Sequence, residues 1–316
     1  MKKLGVIFLL AFLAIGSFLV WFQSGTAPVD KKSEEKKIFI VEDGAGLRAI
    51  TNNLKEQGLI KNTVVFFLLV KQLDLDRKIQ AGDFLLSPSM NAEQIATALT
   101  QSSEDIWITI PEGKRAEEIA DILQAKIPSY DESWRAILNL NEGYLFPDTY
   151  RIAKDATIDQ IVSQLRDTFD RKYTSVKTSP NLTQNETVII ASLIEREARH
   201  DSDRPLVSSV IHNRLDLGMK LDLDATIQYA LGYQTLEKTW WKRHLSYDDL
   251  ALNSPYNTYR VAGLPPTPIA SPGVESLEAA ANPATTDYLY YLSDNNGVNH
   301  YSQTLEQQEA NKDKYL

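Results

Sequence analysis

The pattern of apolar and polar positions breaks the chain into unlike stretches. Leu4 to Phe22 carries no charge, and Ser17 is its one polar side chain. At 1.5 Å per residue a helix of this run reaches about 28 Å, close to the roughly 30 Å of a bilayer's hydrocarbon core. Lys2 and Lys3 precede it, so residues 1–22 are expected to form a transmembrane anchor with everything after Phe22 outside the cytoplasm. The small residues Gly25, Thr26 and Ala27 leave a cleaved signal peptide as the competing reading. Against it, the apolar run exceeds the ~7–15 residues usual in such peptides. Residues 23–37, QSGTAPVDKKSEEKK, are charged and polar, and read as a solvated linker.

From Ile38 the periodicity predicts a strand over 38–41, helices over 47–57 and 63–73, a strand over 83–86 and a helix over 92–100. Gly58 closes the first helix and Asn91 caps the last. Residues 38–105 are thus expected to form a small β-α-α-β unit with no obvious chemistry, a structural or wall-binding module. A second composition shift at Ile106 opens a larger mixed α/β domain over 106–316, beginning with a strand at Trp107–Ile110 and an amphipathic helix over 115–126. Strands and helices do not alternate regularly enough for a doubly wound sheet, so the expected fold class is α+β.

Composition narrows the function. A length of 316 residues suggests about two domains. The net charge of -9 argues against nucleic acid as a partner. With no cysteine there is no disulfide framework, thiol nucleophile or zinc–thiolate site. The four histidines, His200, His212, His244 and His300, are scattered, with no His-Glu-x-x-His pair. The carboxylates Asp216, Asp222 and Asp224 lack calcium-loop spacing, so neither a metal nor a cofactor is expected. Gly-x-Ser-x-Gly and Ser-x-x-Lys signatures are also missing.

The most informative segment is TVIIASLIEREA, residues 187–198. At about 100° per residue, Glu197 falls in one stripe with Ile190, Leu193 and Ile194, while Glu195 lies on the side of Val188 and Ala191. A carboxyl aimed into apolar surroundings is harder to ionise, as a general acid working near neutrality requires. A structural ion pair would produce the same pattern, and the helix alone does not separate the two. Around it lie EGYLFPDTY (142–150), HNRL (212–215), LDAT (223–226), PYNTY (255–259), GLPP (263–266) and SPG (271–273). Aromatic faces pack on pyranose rings, and amides and hydroxyls bond their substituents. Tyr144, Asn213, Asp224, Tyr256, Asn257, Thr258 and Tyr259 are therefore candidate carbohydrate ligands, with Glu195 beside them; each alone also suits plain loop scaffolding.

Taken in this order, EGYLFPDTY, ASLIEREA, NRL, YNTY, GLPP and SPG resemble the YceG-like family of membrane-anchored endolytic murein transglycosylases, from about Ile38 to the C-terminus. Ala225 and Thr267 stand where proline and glycine are common. The resemblance implies a LysM-like fold for residues 38–105 and makes Glu197 the catalytic residue. It implies cleavage between N-acetylmuramic acid and N-acetylglucosamine to leave 1,6-anhydro ends, ending nascent glycan strands. It further implies a single-pass protein of the bacterial cell membrane, with glycan strands and peptidoglycan synthases as partners. A hydrolytic muramidase and a non-catalytic, membrane-tethered wall-binding scaffold are the alternatives.

Overall fold

The computed structural model describes residues 2–101, 105–177 and 181–316, with side chains from residue 12 onward. The helices in chain order are α1 (Lys2–Thr26), α2 (Leu47–Glu56), α3 (Thr63–Gln72), α4 (Ala92–Ala98), α5 (Ala116–Lys126), α6 (Trp134–Asn139) and α7 (Ile158–Tyr173). They continue with α8 (Gln184–Glu197), α9 (Arg204–Asp216), α10 (Asp224–Leu231), α11 (Tyr247–Leu250), α12 (Val274–Ala281) and α13 (Leu305–Tyr315). The strands β1 (Lys37–Val41), β2 (Gly82–Leu86), β3 (Asp105–Thr109), β4 (Thr149–Ala153), β5 (Tyr290–Ser293) and β6 (Asn299–Ser302) pair as β1–β2, β3–β4 and β5–β6. This is a mixed helix-and-strand architecture, in line with the expected α+β class. The chain forms two compact units, 1–107 with 151–154, and 108–150 with 155–316.

In the first unit β1 and β2 are antiparallel with Phe39 opposite Phe84, and α2, α3 and α4 supply the rest of the core. Local signals fix these elements. The Asn62 side chain accepts from the Val64 and Val65 amides, and Asn91 forms a reciprocal capping box with Gln94 at 2.8 Å each way. Phe39, Leu54 and Phe66 are fully buried, each stabilising the unit by about 1.5–3 kcal/mol relative to exposure.

Two expectations change here. The first helix runs on to Thr26 rather than ending at residue 22, because its last turn has a packing partner. A Cβ on Gly25 would lie 2.7 Å from Val65 Cγ2, so only glycine lets the two helices approach. Phe22 packs on the same core, and Asp30 N–H donates to Pro88 O at 3.0 Å. The start of the 23–37 segment is therefore tied down rather than a solvated linker. Among the described residues no helix is long and apolar enough to cross a membrane. The side chains of residues 4–11, which carry part of the expected span, lie outside the described residues. The first unit ends after Trp107, within β3.

The second unit is organised around α8. Thr183 caps it through a reciprocal box with Glu186. Every side chain from Thr187 to Ile194 is buried, with α9, α10 and α12 packed around the helix. This overturns the expected one-sided stripe: the helix is covered on all sides, so the helical wheel does not by itself single out Glu197. What does is position. Glu197 is the last residue of α8, where the burial ends.

Candidate active site

The Glu197 carboxyl is met from two other elements. Tyr291 on β5 donates its hydroxyl to Glu197 Oε2 at 2.7 Å, and the Ala225 amide at the start of α10 also bonds to the carboxyl. Desolvation raises its pKa above the ordinary carboxylate range, and the charge of Asp224 adds to the rise. The two hydrogen bonds and Arg196 pull the other way, because they favour the anion. The result is a carboxylic acid inclined to keep its proton, with groups in place to receive the anion once the proton leaves.

The neighbours are held by a framework of buried polar bonds. Asp222 has φ of 50°, a left-handed conformation that aspartate tolerates better than most residues, just ahead of α10. That turn is braced by Thr258: its Oγ1 accepts from Leu223 N–H at 3.0 Å and shares a bond with the Thr226 hydroxyl at 2.9 Å. Asn257 donates to Leu250 O and Leu252 O and accepts from Tyr259 N–H at 2.9 Å. The aligned Tyr259 donates its hydroxyl to Asp224 Oδ1 at 2.6 Å. On the other flank, Asn213 donates to Thr286 O and Tyr288 O. Arg214 bonds to both Leu289 O and Leu221 O at 2.6 Å. One pair of side chains on α9 thus fastens the approach to Tyr291, and Arg214 also holds the approach to Asp224.

This geometry sorts the expected site residues. Glu197, Asp224 and Tyr259 come together, linked through α10. Asn257 and Thr258 are completely or almost completely buried, with Asn257 bonded to backbone groups and Thr258 to the Leu223 amide and the Thr226 hydroxyl. Asn213 gives its amide nitrogen to the Thr286 and Tyr288 carbonyls. In this structure these groups brace the site, in place of the ligand contacts expected of them. Glu195 differs from expectation in the same way. Its side chain is 8% exposed, Oε2 accepts from Gly273 N–H at 3.0 Å at the start of α12, and Oε1 lies 3.5 Å from Arg204. Tyr144 belongs to the opposite end of α8: its hydroxyl donates to Asn185 Oδ1 at 3.0 Å and its ring packs edge-on against Phe169. Twelve residues at 1.5 Å per residue place it about 18 Å along the helix from Glu197. Tyr256 is bound to Thr267 by a 2.7 Å hydroxyl pair and lies against Tyr229, with no direct bond to Glu197. Tyr291 and Arg214 were not among the expected site residues. Tyr291 follows Tyr288 and Tyr290 in a short tyrosine-rich stretch, and only the tertiary fold reveals which of them meets Glu197. Among the described residues no group of acidic, histidine or cysteine side chains could hold a metal ion.

The profile of the YceG-like family matches residues 39–314. The chain belongs to the YceG-like family. It is 31% identical over 337 residues to the endolytic murein transglycosylase of Bacillus subtilis (strain 168), covering 96% of this chain and 91% of that protein. It is 28% identical to the endolytic murein transglycosylase of Streptococcus pneumoniae serotype 2, covering 98% of this chain but 64% of that longer protein. A crystal structure of a yceG-like protein from Listeria monocytogenes superposes with a TM-score of 0.59 at 29% identity, covering 88% of this chain and 99% of that one.

Proposed function

We propose that this YceG-like chain is a lytic transglycosylase acting on peptidoglycan, with Glu197 as its catalytic acid and base. The observation that carries the reading is the Glu197 carboxyl itself: desolvated at the end of α8, yet met by the Tyr291 hydroxyl and the Ala225 amide. Protonated Glu197 gives its proton to the oxygen linking N-acetylmuramic acid to N-acetylglucosamine, and the bond from that oxygen to C1 breaks. Tyr291 and Ala225 stabilise the carboxylate left behind. The C6 hydroxyl of the muramic acid closes on C1, its proton passes to Glu197, and a 1,6-anhydro end forms with no water consumed. A general acid of this kind contributes on the order of 10²–10⁴ in rate. The names of the relatives from B. subtilis and S. pneumoniae support the substrate class.

In this reading the chain is anchored in the bacterial cell membrane by the Leu4–Phe22 segment and works outside the cytoplasm. There it terminates nascent strands beside the synthases that make them, while the LysM-like first unit holds a second stretch of polymer. A cavity of about 500 Å³ along β1 and α2, reached by Asn53 and Gln57, gives that unit room for a ligand. Mass spectrometry of digested glycan strands tests the reaction. Anhydro ends support it, reducing ends make the protein a muramidase, and uncut strands refute catalysis. A reporter fused to the C-terminus that is active inside the cytoplasm would sink the topology.

A further inference from the structure

Asp224 is the first residue of α10, and the amide of the next residue bonds to Glu197. Helices α8 and α10 pack together, and the charge of Asp224 acts on Glu197. Their surroundings differ. Glu197 is desolvated, whereas Asp224 is exposed. Glu195 is paired with Arg204, and Arg214 lies 3.6 Å from Asp222. Among the described residues, by contrast, no lysine or arginine forms a salt bridge with Asp224. Its one side-chain partner is neutral: Tyr259, 2.6 Å from Oδ1, on a loop pinned by buried Asn257. A carboxylate in the first turn of α10 suits the positive end of that helix, but one left without a cation beside a general acid hinders the ionisation of that acid. That cost is offset if a positive charge arrives.

We propose that Asp224 is a second catalytic carboxylate, which faces the anomeric carbon of the cleaved sugar and stabilises the positive charge that develops there. The proposal rests on the transglycosylase reading above. As the C1–oxygen bond breaks, the Glu197 proton goes to the leaving oxygen, and the electron deficit is shared between C1 and the ring oxygen. Asp224 lies against that deficit, makes no covalent bond and exchanges no proton. The C6 hydroxyl then closes on C1 and returns its proton to Glu197, so the balance of atoms is unchanged. Tyr259 sets the direction of the carboxylate, and Thr258 holds the turn that carries it.

The test uses the full-length chain on purified glycan strands, comparing Asp224→Asn, Asp224→Glu and Tyr259→Phe with wild type. Loss of one preorganised electrostatic group costs about 10²–10³ in kcat. Asp224→Asn is expected to lose about 10²-fold in kcat with KM changed by no more than about threefold, on that same scale. The alkaline limb of its pH profile should move to lower pH, because removal of the negative charge eases ionisation of Glu197. The other groups facing Glu197, namely Tyr291 from β5, Arg196 from α8 and Tyr259 from the 251–261 loop, are unchanged in that variant. Asp224→Glu should recover part of the loss. A kcat within about threefold of wild type, a loss confined to KM, or a change in melting temperature alone overturns the proposal. If Asp224→Asn does not fold, Tyr259→Phe decides: it keeps the carboxylate but frees its direction, and an unchanged kcat overturns the proposal. A wild-type protein that cuts nothing refutes the transglycosylase reading itself and leaves a different signature from an active wild type with an active Asp224→Asn.

Discussion

Replacing Tyr291 by phenylalanine keeps the ring that packs on the core and removes one atom, the oxygen 2.7 Å from Glu197 Oε2. A hydrogen bond to a charged group contributes about 1.5–3 kcal/mol. The sign follows from which form the bond favours. Tyr291 donates to the anion, so its removal raises an already raised pKa. The active protonated form then persists to higher pH, and the alkaline limb of kcat/KM moves to higher pH. The anion formed during the reaction loses the same support, so kcat on the plateau falls by about 10–100-fold. The assay is initial release of cleaved ends from purified strands across the pH range, with a thermal melt of each protein. An unmoved limb with unchanged kcat, or a limb moved to lower pH, would falsify the assigned role of Tyr291. It would also remove the main support for Glu197 as an acid stabilised in its charged form.

Glu197→Gln should lose about 10²–10⁴ in kcat with its melting temperature nearly unchanged. Glu195→Gln should show the reverse, a lower melting temperature with smaller kinetic loss, since its carboxylate binds Arg204 and the start of α12; comparison of the two by melt and rate separates acid from framework. Asn257→Ala removes three buried hydrogen bonds and is expected to cost about 1.5–4.5 kcal/mol of stability, at roughly 0.5–1.5 each, measured by urea unfolding. Burial raises the pKa of Glu142 from its usual 4.5 to about 8, despite bonds from Ala116 N–H and Tyr229. The folded state then holds a proton that the unfolded chain gives up, so the contribution of this group to stability is complete below about 4.5 and declines as pH rises to about 8. Glu142→Gln should flatten that decline in melts taken across the interval, and an identical slope would rule the residue out as its source.

The first unit was readable because its signals are local. Asn91, Gly58 and the apolar run Ile38–Val41 act within a turn or a strand, and the observed elements fall within a few residues of expectation. For Glu197, the proposed acid, the helical-wheel argument fails: α8 is buried on every side from Thr187 to Ile194, and a wheel cannot rank faces that are all covered. Asn213, Asn257 and Thr258 have the chemistry of sugar ligands, but sequence does not show that backbone carbonyls and amides have already claimed them. Glu195 was likewise claimed by Arg204 and Gly273. Tyr291 carried no local signal, because its meaning depends on a contact between residues far apart in the chain.

That separation has a temporal side. Tyr291 is 94 positions downstream of Glu197, and the strand that carries it is pinned by Gln308 on α13, which donates to Tyr291 O at 3.0 Å. A ribosome therefore releases the acid long before it releases the group that steadies its anion. While the chain is still growing, the hydroxyl that completes the carboxyl environment does not yet exist. An early stop codon or a protease cut ahead of β5 would leave the product in the same condition. The surroundings of Glu197 are thus complete only in molecules whose synthesis has passed β5 and Gln308.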